Sequence, residues 1–374
     1  MTILIIKSLI SNQGFKPYRI ITVNLEKWGL TSCIQEKTKY LIEQDLFIGR
    51  IVKESRHIYE IETEQGRLSG KVSGHFVYTA VNKADYPTIG DWVAVKIDQD
   101  IAIIEKLIDR KSAFSRKRAG NEAEEQIIAA NIDYIFLCFA LDGGRNFSEG
   151  AIERFLTRAW DSGASPIIIL NKSDLCKNTA DFINKTELIA AGTPIHLTSV
   201  VDGSGIEELK NYLKPGKTIG FTGFSGVGKS TLINALCGSD IMRTGSTRED
   251  DKKGKHTTTH KELILLEDGS ILIDSPGLKE LQLWGDESSL NSTFEDILDL
   301  SYLCKFSNCS HNEEPGCMIQ SSLENGDLDE ERYKRYLIMK KELQFLERKT
   351  SVKAKLEAKK IFKNESKFAK SIKR

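Results

Sequence analysis

The chain has no apolar run near the roughly twenty residues that a membrane-crossing helix needs, which excludes a helical membrane protein. The short cluster Ile3-Leu4-Ile5-Ile6 lacks a basic start and a long apolar stretch, so no signal peptide is read there. There is no internal repeat, which excludes a solenoid. There is no net charge either. Lys plus Arg and Asp plus Glu both number 53, so no single-sign field covers the whole molecule. Cysteine is sparse, with seven residues and no secretory signal. That combination points to a reducing compartment, here the cytoplasm, and disfavours disulfides. What remains is a long polar-surfaced chain of 374 residues, more than one usual core requires.

The most informative feature is the order of two motifs. Asn171-Lys172-Ser173-Asp174 has the form of a guanine-reading NKxD motif and follows the apolar run Ser165 to Leu170, which reads as a buried strand. Gly223-Phe224-Ser225-Gly226-Val227-Gly228-Lys229-Ser230 matches the phosphate loop GxxxxGKS, with Thr231 next. The strand Lys217 to Thr222 before it and the helix start at Ser230 after it supply the context the motif requires. Gly223, Gly226 and Gly228 let backbone N–H groups approach phosphate oxygens. The helix N-terminus adds its positive end. Lys229 would reach the β- and γ-phosphates, and Ser230 would bind Mg²⁺ through its hydroxyl. An ordinary GTPase places the phosphate loop before the base-reading motif. Here the order is reversed, as in a circular permutation.

Other residues fill in the site. Asp174 can accept from guanine N1 and N2, where adenine offers no matching donors. Asn171 would tether loops, and the Lys172 stem would cover the ring beside Ser173. Ser199 and Val200 lie in Thr198-Ser199-Val200, a loop whose backbone can reach guanine O6. Ser270 to Ile273 reads as a strand ending in Asp274-Ser275-Pro276-Gly277, the pattern DxxG, in which Asp274 supports Mg²⁺ and Gly277 donates to the γ-phosphate. The polar segment Arg243 to His260 reads as a switch loop ordered by γ-phosphate and Mg²⁺. Leu278 stands where many GTPases carry a water-orienting glutamine, so turnover by this chain alone should be slow.

Cys304, Cys309, His311 and Cys317 form C-x4-C-x-H-x5-C. Three thiolates and an imidazole complete a tetrahedron around zinc, so one structural zinc per chain is expected. No apolar run for a core is evident beside them, and the metal would take its place. Cys33, Cys138, Cys176 and Cys237 are scattered, and Cys138 and Cys237 read as packing residues. Upstream, short strands are expected at residues 47–53, 57–63, 67–73, 92–97 and 101–107. Five short strands suit a small barrel such as the OB-fold. Arg50, Lys53, Arg56, His57, Arg67 and Lys71 are candidate RNA contacts there, or an ordinary solvated face. From Lys353 to Arg374, nine basic residues face Glu357 and Glu365 alone, a tail suited to RNA phosphates or to solubility. Tyr336, Met339, Leu343 and Leu346 form a helical packing stripe.

With these motifs in this permuted order, the chain resembles the ribosome small subunit-dependent GTPase A family, RsgA or YjeQ, from about residue 45 to about residue 345. The resemblance implies GTP hydrolysis to GDP, stimulated by the small ribosomal subunit and its rRNA, in late subunit maturation. It implies that His256 positions the attacking water and that Thr258 binds Mg²⁺, though Thr257, Thr258 and Thr259 leave that register open by one. The expected architecture is a circularly permuted α/β P-loop GTPase with an N-terminal OB-fold barrel and a C-terminal zinc-binding, mostly helical domain. The expected bounds are an extension over 1–44, the barrel over 45–112, the GTPase over 113–285, the zinc domain over 286–350 and the basic tail over 351–374. A cytoplasmic monomer is expected. The competing reading is an RNA-binding assembly module that guanine nucleotide regulates without significant turnover. A P-loop ATPase or kinase conflicts with Asn171 to Asp174.

Overall fold

The structure, a computed structural model, describes residues 23–55, 58–117, 125–144, 146–239, 261–274, 278, 287–312 and 314–344. Five strands form the barrel: β1 (Phe47–Ser55), β2 (Ile58–Thr63), β3 (Gly66–Val72), β4 (Trp92–Asp98) and β5 (Ile101–Leu107). Their order is β1-β2-β3-β5-β4, and a β1–β4 pairing closes the ring. Only β3 and β5 run parallel. Strand β4 shows why the alternating pattern was legible. Val93 and Val95 face the barrel interior with Ile51, Tyr59, Ile61 and Ile104, while Trp92 and Ala94 face the main core of the molecule. The barrel is thus covered on one wall by the rest of the chain. Helix α1 (Ser32–Ile42) and the residues before it join that cover, with Leu25 and Trp28 buried. Helix α2 (Gly74–Thr79) lies between β3 and β4.

A two-stranded link, β6 (Ala113–Lys117) and β7 (Glu125–Ala130), leads to the central sheet. Strands β8 (Tyr134–Ala140), β9 (Ser165–Asn171), β10 (Ile195–Thr198), β11 (Thr218–Thr222), β12 (Lys261–Leu265) and β13 (Ile271–Asp274) follow. The spatial order is β10-β9-β8-β11-β13-β12, and all neighbours are parallel except β13 and β12. Both faces are covered. Ile135, Leu137 and Phe139 of β8 pack with α3 (Glu149–Ser162) and α4 (Thr179–Ile189). Phe136 and Cys138 pack on the opposite face with α5 (Ile206–Lys210) and α6 (Lys229–Cys237). Continuous apolar strands follow from that double cover.

Sheet and barrel are joined edge to edge. β12 pairs with β1 through Lys53 opposite Glu262 and Glu54 opposite Lys261, and the Lys261 ammonium donates to Glu54 at 2.9 Å. Arg50 is the second joint, and here the sequence expectation is corrected. It is 1% exposed and therefore no RNA contact. A long polar side chain on a barrel strand reads as solvated, but this one is buried between the two units. Its guanidinium donates to the Trp28, Gly90 and Asn131 carbonyls and to Thr218 Oγ1 at 2.8 Å. Burial pulls its pKa down to about 10, against the pull of Asp133 and Asp91. Lys53 and Arg67 do lie at the surface, paired with Glu60 and Glu62. Arg56 and His57 lie outside the described residues.

The C-terminal unit holds α7 (Glu287–Thr293), α8 (Glu295–Tyr302), α9 (Met318–Asn325) and α10 over residues 330–344. Leu290, Phe294, Ile297, Ile319, Tyr336, Met339 and Leu343 form a core there, and Cys317, Cys304 and Cys309 pack into it. The cysteine segment therefore does have an apolar core, which the four helices on either side of it supply. Tyr336, Met339 and Leu343 form the packing stripe; Leu346 lies outside the described residues. The unit docks on α3. Glu153, fully buried, accepts from Arg332 Nη1 at 2.9 Å, Arg335 Nε at 2.7 Å and Arg335 Nη2 at 3.0 Å. Thr157 donates to Thr293 at 2.9 Å, and Arg154 meets Glu342 at 3.0 Å. Among the described residues, no helix is long and apolar enough to cross a membrane.

Candidate nucleotide site and metal centre

Because β8, β9, β10, β11 and β13 are parallel, their carboxyl ends share one edge of the sheet. Ligands bind at that edge in open α/β sheets. Five sequence segments meet there: Asp142 after β8, Asn171 to Asp174 after β9, Ser199 and Val200 after β10, Gly223 to Ser230 after β11, and Asp274 at the end of β13. Chain order is irrelevant to this convergence, which is why a permuted chain can build it.

The phosphate loop runs from β11 into α6. Gly223 has φ 140°, and a Cβ there would lie 2.2 Å from the Cys138 carbonyl oxygen. Gly228 has φ 94°, and a Cβ there would lie 2.5 Å from Asn171 Nδ2. Both positions require glycine, one to pass β8 and the other to pass the Asn171 side chain. Lys229 Nζ donates to the Gly223 and Phe224 carbonyls at 2.7 and 2.6 Å, so the ammonium lies inside the loop. Val227 is fully buried and anchors the turn. The Phe224 ring packs edge-on against Phe155 of α3, centroids 5.4 Å apart. Gly226, Ser225, Ser230 and Thr231 complete the segment. Burial pushes the Cys138 thiol beneath it up to about 12, the state of an inert packing residue.

Asn171 is the keystone. It is 3% exposed, donates from Nδ2 to the Val227 carbonyl at 2.8 Å and accepts at Oδ1 from Thr198 Oγ1 at 3.0 Å. One amide thus ties the phosphate loop to the end of β10. Lys172 takes a left-handed φ of 60°, which turns the chain off the strand into a single turn over Ser173–Leu175. Its ammonium donates to Asp142 Oδ2 at 2.8 Å. That hydrogen bond chiefly holds the Asp142 carboxyl below its ordinary range. Asp174 is exposed. Ser199 is buried; its amide donates to the Ser204 carbonyl at 3.1 Å, and its hydroxyl accepts from the Val201 amide at 3.2 Å. Among the described residues, the adjacent Val200 amide makes no hydrogen bond. Leu278 is 1% exposed in the main core, and its carbonyl accepts from Thr222 Oγ1 at 2.5 Å. It packs and does not face the site. The side chain of Asp274 and all of His256, Thr258 and Gly277 lie outside the described residues.

The second cluster is compact. The ligand atoms of Cys304, Cys309, His311 and Cys317 all lie within 4.8 Å of one another and could hold a metal ion. His311 Nδ1 is 3.6 Å from the sulfurs of both Cys304 and Cys317, which are 4.0 Å apart. A tetrahedron with metal–sulfur bonds of about 2.3 Å has edges of about 3.8 Å, so the donor set fits. Burial lowers the His311 pKa, helped by Lys340 and opposed by Glu314, which favours the neutral imidazole a metal needs. His311 also adopts a left-handed φ of 60°, and Gln320 Nε2 donates to its carbonyl at 2.5 Å.

Asp142 and the Glu153 pair with Arg332 and Arg335 were not anticipated from sequence. Asp142 had one usable signal, a carboxylate just past an apolar strand. The Glu153 network had none, since its partners lie 179 and 182 positions away.

A phosphate loop downstream of an Asn-Lys-Ser-Asp segment, on one mostly parallel sheet with a barrel before it, defines a circularly permuted P-loop GTPase. The family model described as RsgA GTPase matches residues 107–284. The small ribosomal subunit biogenesis GTPase RsgA 2 of Lactiplantibacillus plantarum is 43% identical over 328 residues, covering 87% of this chain and 91% of its own. The chain belongs to the RsgA GTPase family and is a GTP hydrolase. RsgA 1 of Oceanobacillus iheyensis is 38% identical over 344 residues, covering 91% of this chain and 97% of its own. Among solved structures, YjeQ from Thermotoga maritima superposes with a TM-score of 0.60 at 29% identity, covering 80% of this chain and 99% of that one. YloQ, described as a circularly permuted GTPase, gives 0.56 at 25% identity, with 80% and 95% covered.

Proposed function

We propose that this chain hydrolyses GTP during late maturation of the small ribosomal subunit, in the cytoplasm and as a monomer, and that the subunit stimulates turnover. The observation that carries the reading is the Asn171 bridge, which joins a phosphate-binding loop to a base-reading loop at one sheet edge. The relatives' names supply the ribosomal context.

Within this reading Asp174 accepts from guanine, the Lys172 stem covers the ring, and Val200 faces O6. Loop amides from Gly223 to Ser230 and the α6 N-terminus take the phosphates. Lys229 exchanges the Gly223 and Phe224 carbonyls for phosphate oxygens. Ser230, Thr258 and Asp274 would hold Mg²⁺, which would neutralise phosphate charge when bound. Gly277 donates to the γ-phosphate. Leu278 is committed to the core, so water must be oriented by another group, and His256 is assigned that role. The tail, Lys53, Arg67 and Lys71 offer charge to rRNA.

The test is GTP turnover with and without small ribosomal subunits. The wild type is expected to be slow alone and strongly stimulated, with ATP inert. His256→Ala should lose most of the stimulated rate, at least about tenfold, with GTP affinity nearly unchanged, because the loss falls on the transition state. Full stimulated turnover by His256→Ala would remove the assignment.

The metal is proposed to be zinc, one per chain, held by Cys304, Cys309, His311 and Cys317. Fresh reduced protein is expected to contain about one zinc by metal analysis. Cys309→Ser should raise protease sensitivity around residues 300–320 while guanine binding persists. Metal-free protein with an unchanged cleavage pattern would contradict the zinc site.

A further inference from the structure

We propose that Asp142 is a positioning residue for guanine binding, holding the Lys172 ammonium so that the lysine stem stays in place as one wall of the base pocket. This rests on the base-site reading above and adds a residue to it.

Asp142 stands just past the carboxyl end of β8, the strand between β9 and β11. It therefore sits between the base-reading segment and the phosphate loop. Three donors converge on its carboxylate. Lys172 Nζ lies 2.8 Å from Oδ2, Asn146 Nδ2 lies 3.3 Å from Oδ2, and the Gly144 amide lies 3.2 Å from Oδ1. Asn146 and Gly144 fix the carboxylate from its own loop, so the ion pair positions the lysine. The lysine side chain is 31% exposed and the aspartate 18%, so the pair is only partly screened. Lys172 needs such an anchor. Its backbone is already committed by the left-handed φ, but its four-carbon stem has the rotamer freedom typical of lysine. With the ammonium tethered, the stem is ordered before the base arrives, and binding no longer has to order it. Asp142 touches no part of the reaction and acts through Lys172 alone.

The experiment is displacement of a ribose-labelled fluorescent GDP from the full chain, with GDP, GTP and tripolyphosphate as competitors. Asp142→Ala is expected to weaken GDP and GTP by about fivefold, the scale of a partly exposed ion pair. Tripolyphosphate affinity should not change, because it engages the phosphate loop only; a general loosening of the fold would weaken it too. Asp142→Asn, which keeps a hydrogen bond without the charge, should fall between. The double variant with Lys172→Ala should bind GDP as Lys172→Ala does, since both remove one device. Unchanged GDP affinity in Asp142→Ala, equal loss for tripolyphosphate, or multiplying losses in the double variant would each overturn the proposal. Asp174→Asn in the same assay keeps the two readings apart. If that variant keeps its guanine preference, the base-site reading fails. If it switches preference while Asp142→Ala binds GDP normally, only the Asp142 role fails.

Discussion

Glu153→Ala should destabilise the protein by about 3 kcal/mol and release the C-terminal unit from the GTPase. The carboxylate is fully buried and takes three hydrogen bonds from Arg332 and Arg335. Burial pushes its carboxyl up, and the hydrogen bonds from Arg335 and Arg332 pull against that. Removing one member of a buried ionic cluster leaves the others uncompensated, typically at about 3–5 kcal/mol. The lower end applies because Arg332 keeps Asp296 at 2.7 Å and Arg335 keeps Glu149 at 3.1 Å. In thermal unfolding the loss should appear as a fall of roughly 5–10 °C in the first transition. Glu153→Gln, which retains acceptor geometry at one oxygen, should lose less. An unchanged melting profile for Glu153→Ala would show that Thr157–Thr293 and the apolar contacts hold the interface alone.

The position of Glu153 gives this interface a wider meaning. Helix α3 carries Glu153 under the two arginines and, two residues on, Phe155 against Phe224 of the phosphate loop. One helix therefore touches both the phosphate loop and the unit that holds the cysteine–histidine cluster. On the other side, β12 pairs directly with barrel strand β1. The GTPase is thus strand-paired to the barrel and ion-paired to the C-terminal unit.

Much of this was legible in the sequence because the relevant signals are local. The phosphate loop is a contiguous motif whose glycines are dictated by backbone clearance, as Gly223 and Gly228 show. Apolar runs such as Ile167 to Leu170 announce strands covered on both faces. The metal cluster was readable from ligand type and spacing within fourteen consecutive positions, Cys304 to Cys317. Long-range polar contacts were not readable. Arg50 looks solvated until Thr218, 168 positions away, and Asn131 arrive to receive its guanidinium. The core beside the cysteine–histidine cluster was missed because its members are spread from Leu290 to Leu343 over four helices, each contributing a few apolar residues. Asp142 was missed because its partner Lys172 lies 30 positions away and is brought to it only by the pairing of β8 with β9.

The central claim is a guanine site built from motifs in permuted order, and Asp174→Asn tests it most directly. Asp174 lies in the turn that Lys172 begins, on the segment anchored by Asn171, and is exposed. A carboxylate accepts from guanine N1 and N2, whereas an amide can match the carbonyl that xanthine offers there. Mismatching one such pair strands polar groups against each other and costs about a hundredfold. Affinities for GDP and xanthosine diphosphate should be measured on both proteins. The expected result is a reversal of preference in Asp174→Asn, with tripolyphosphate binding unchanged. Equal weakening of both nucleotides, or a retained preference for guanine, would contradict the site.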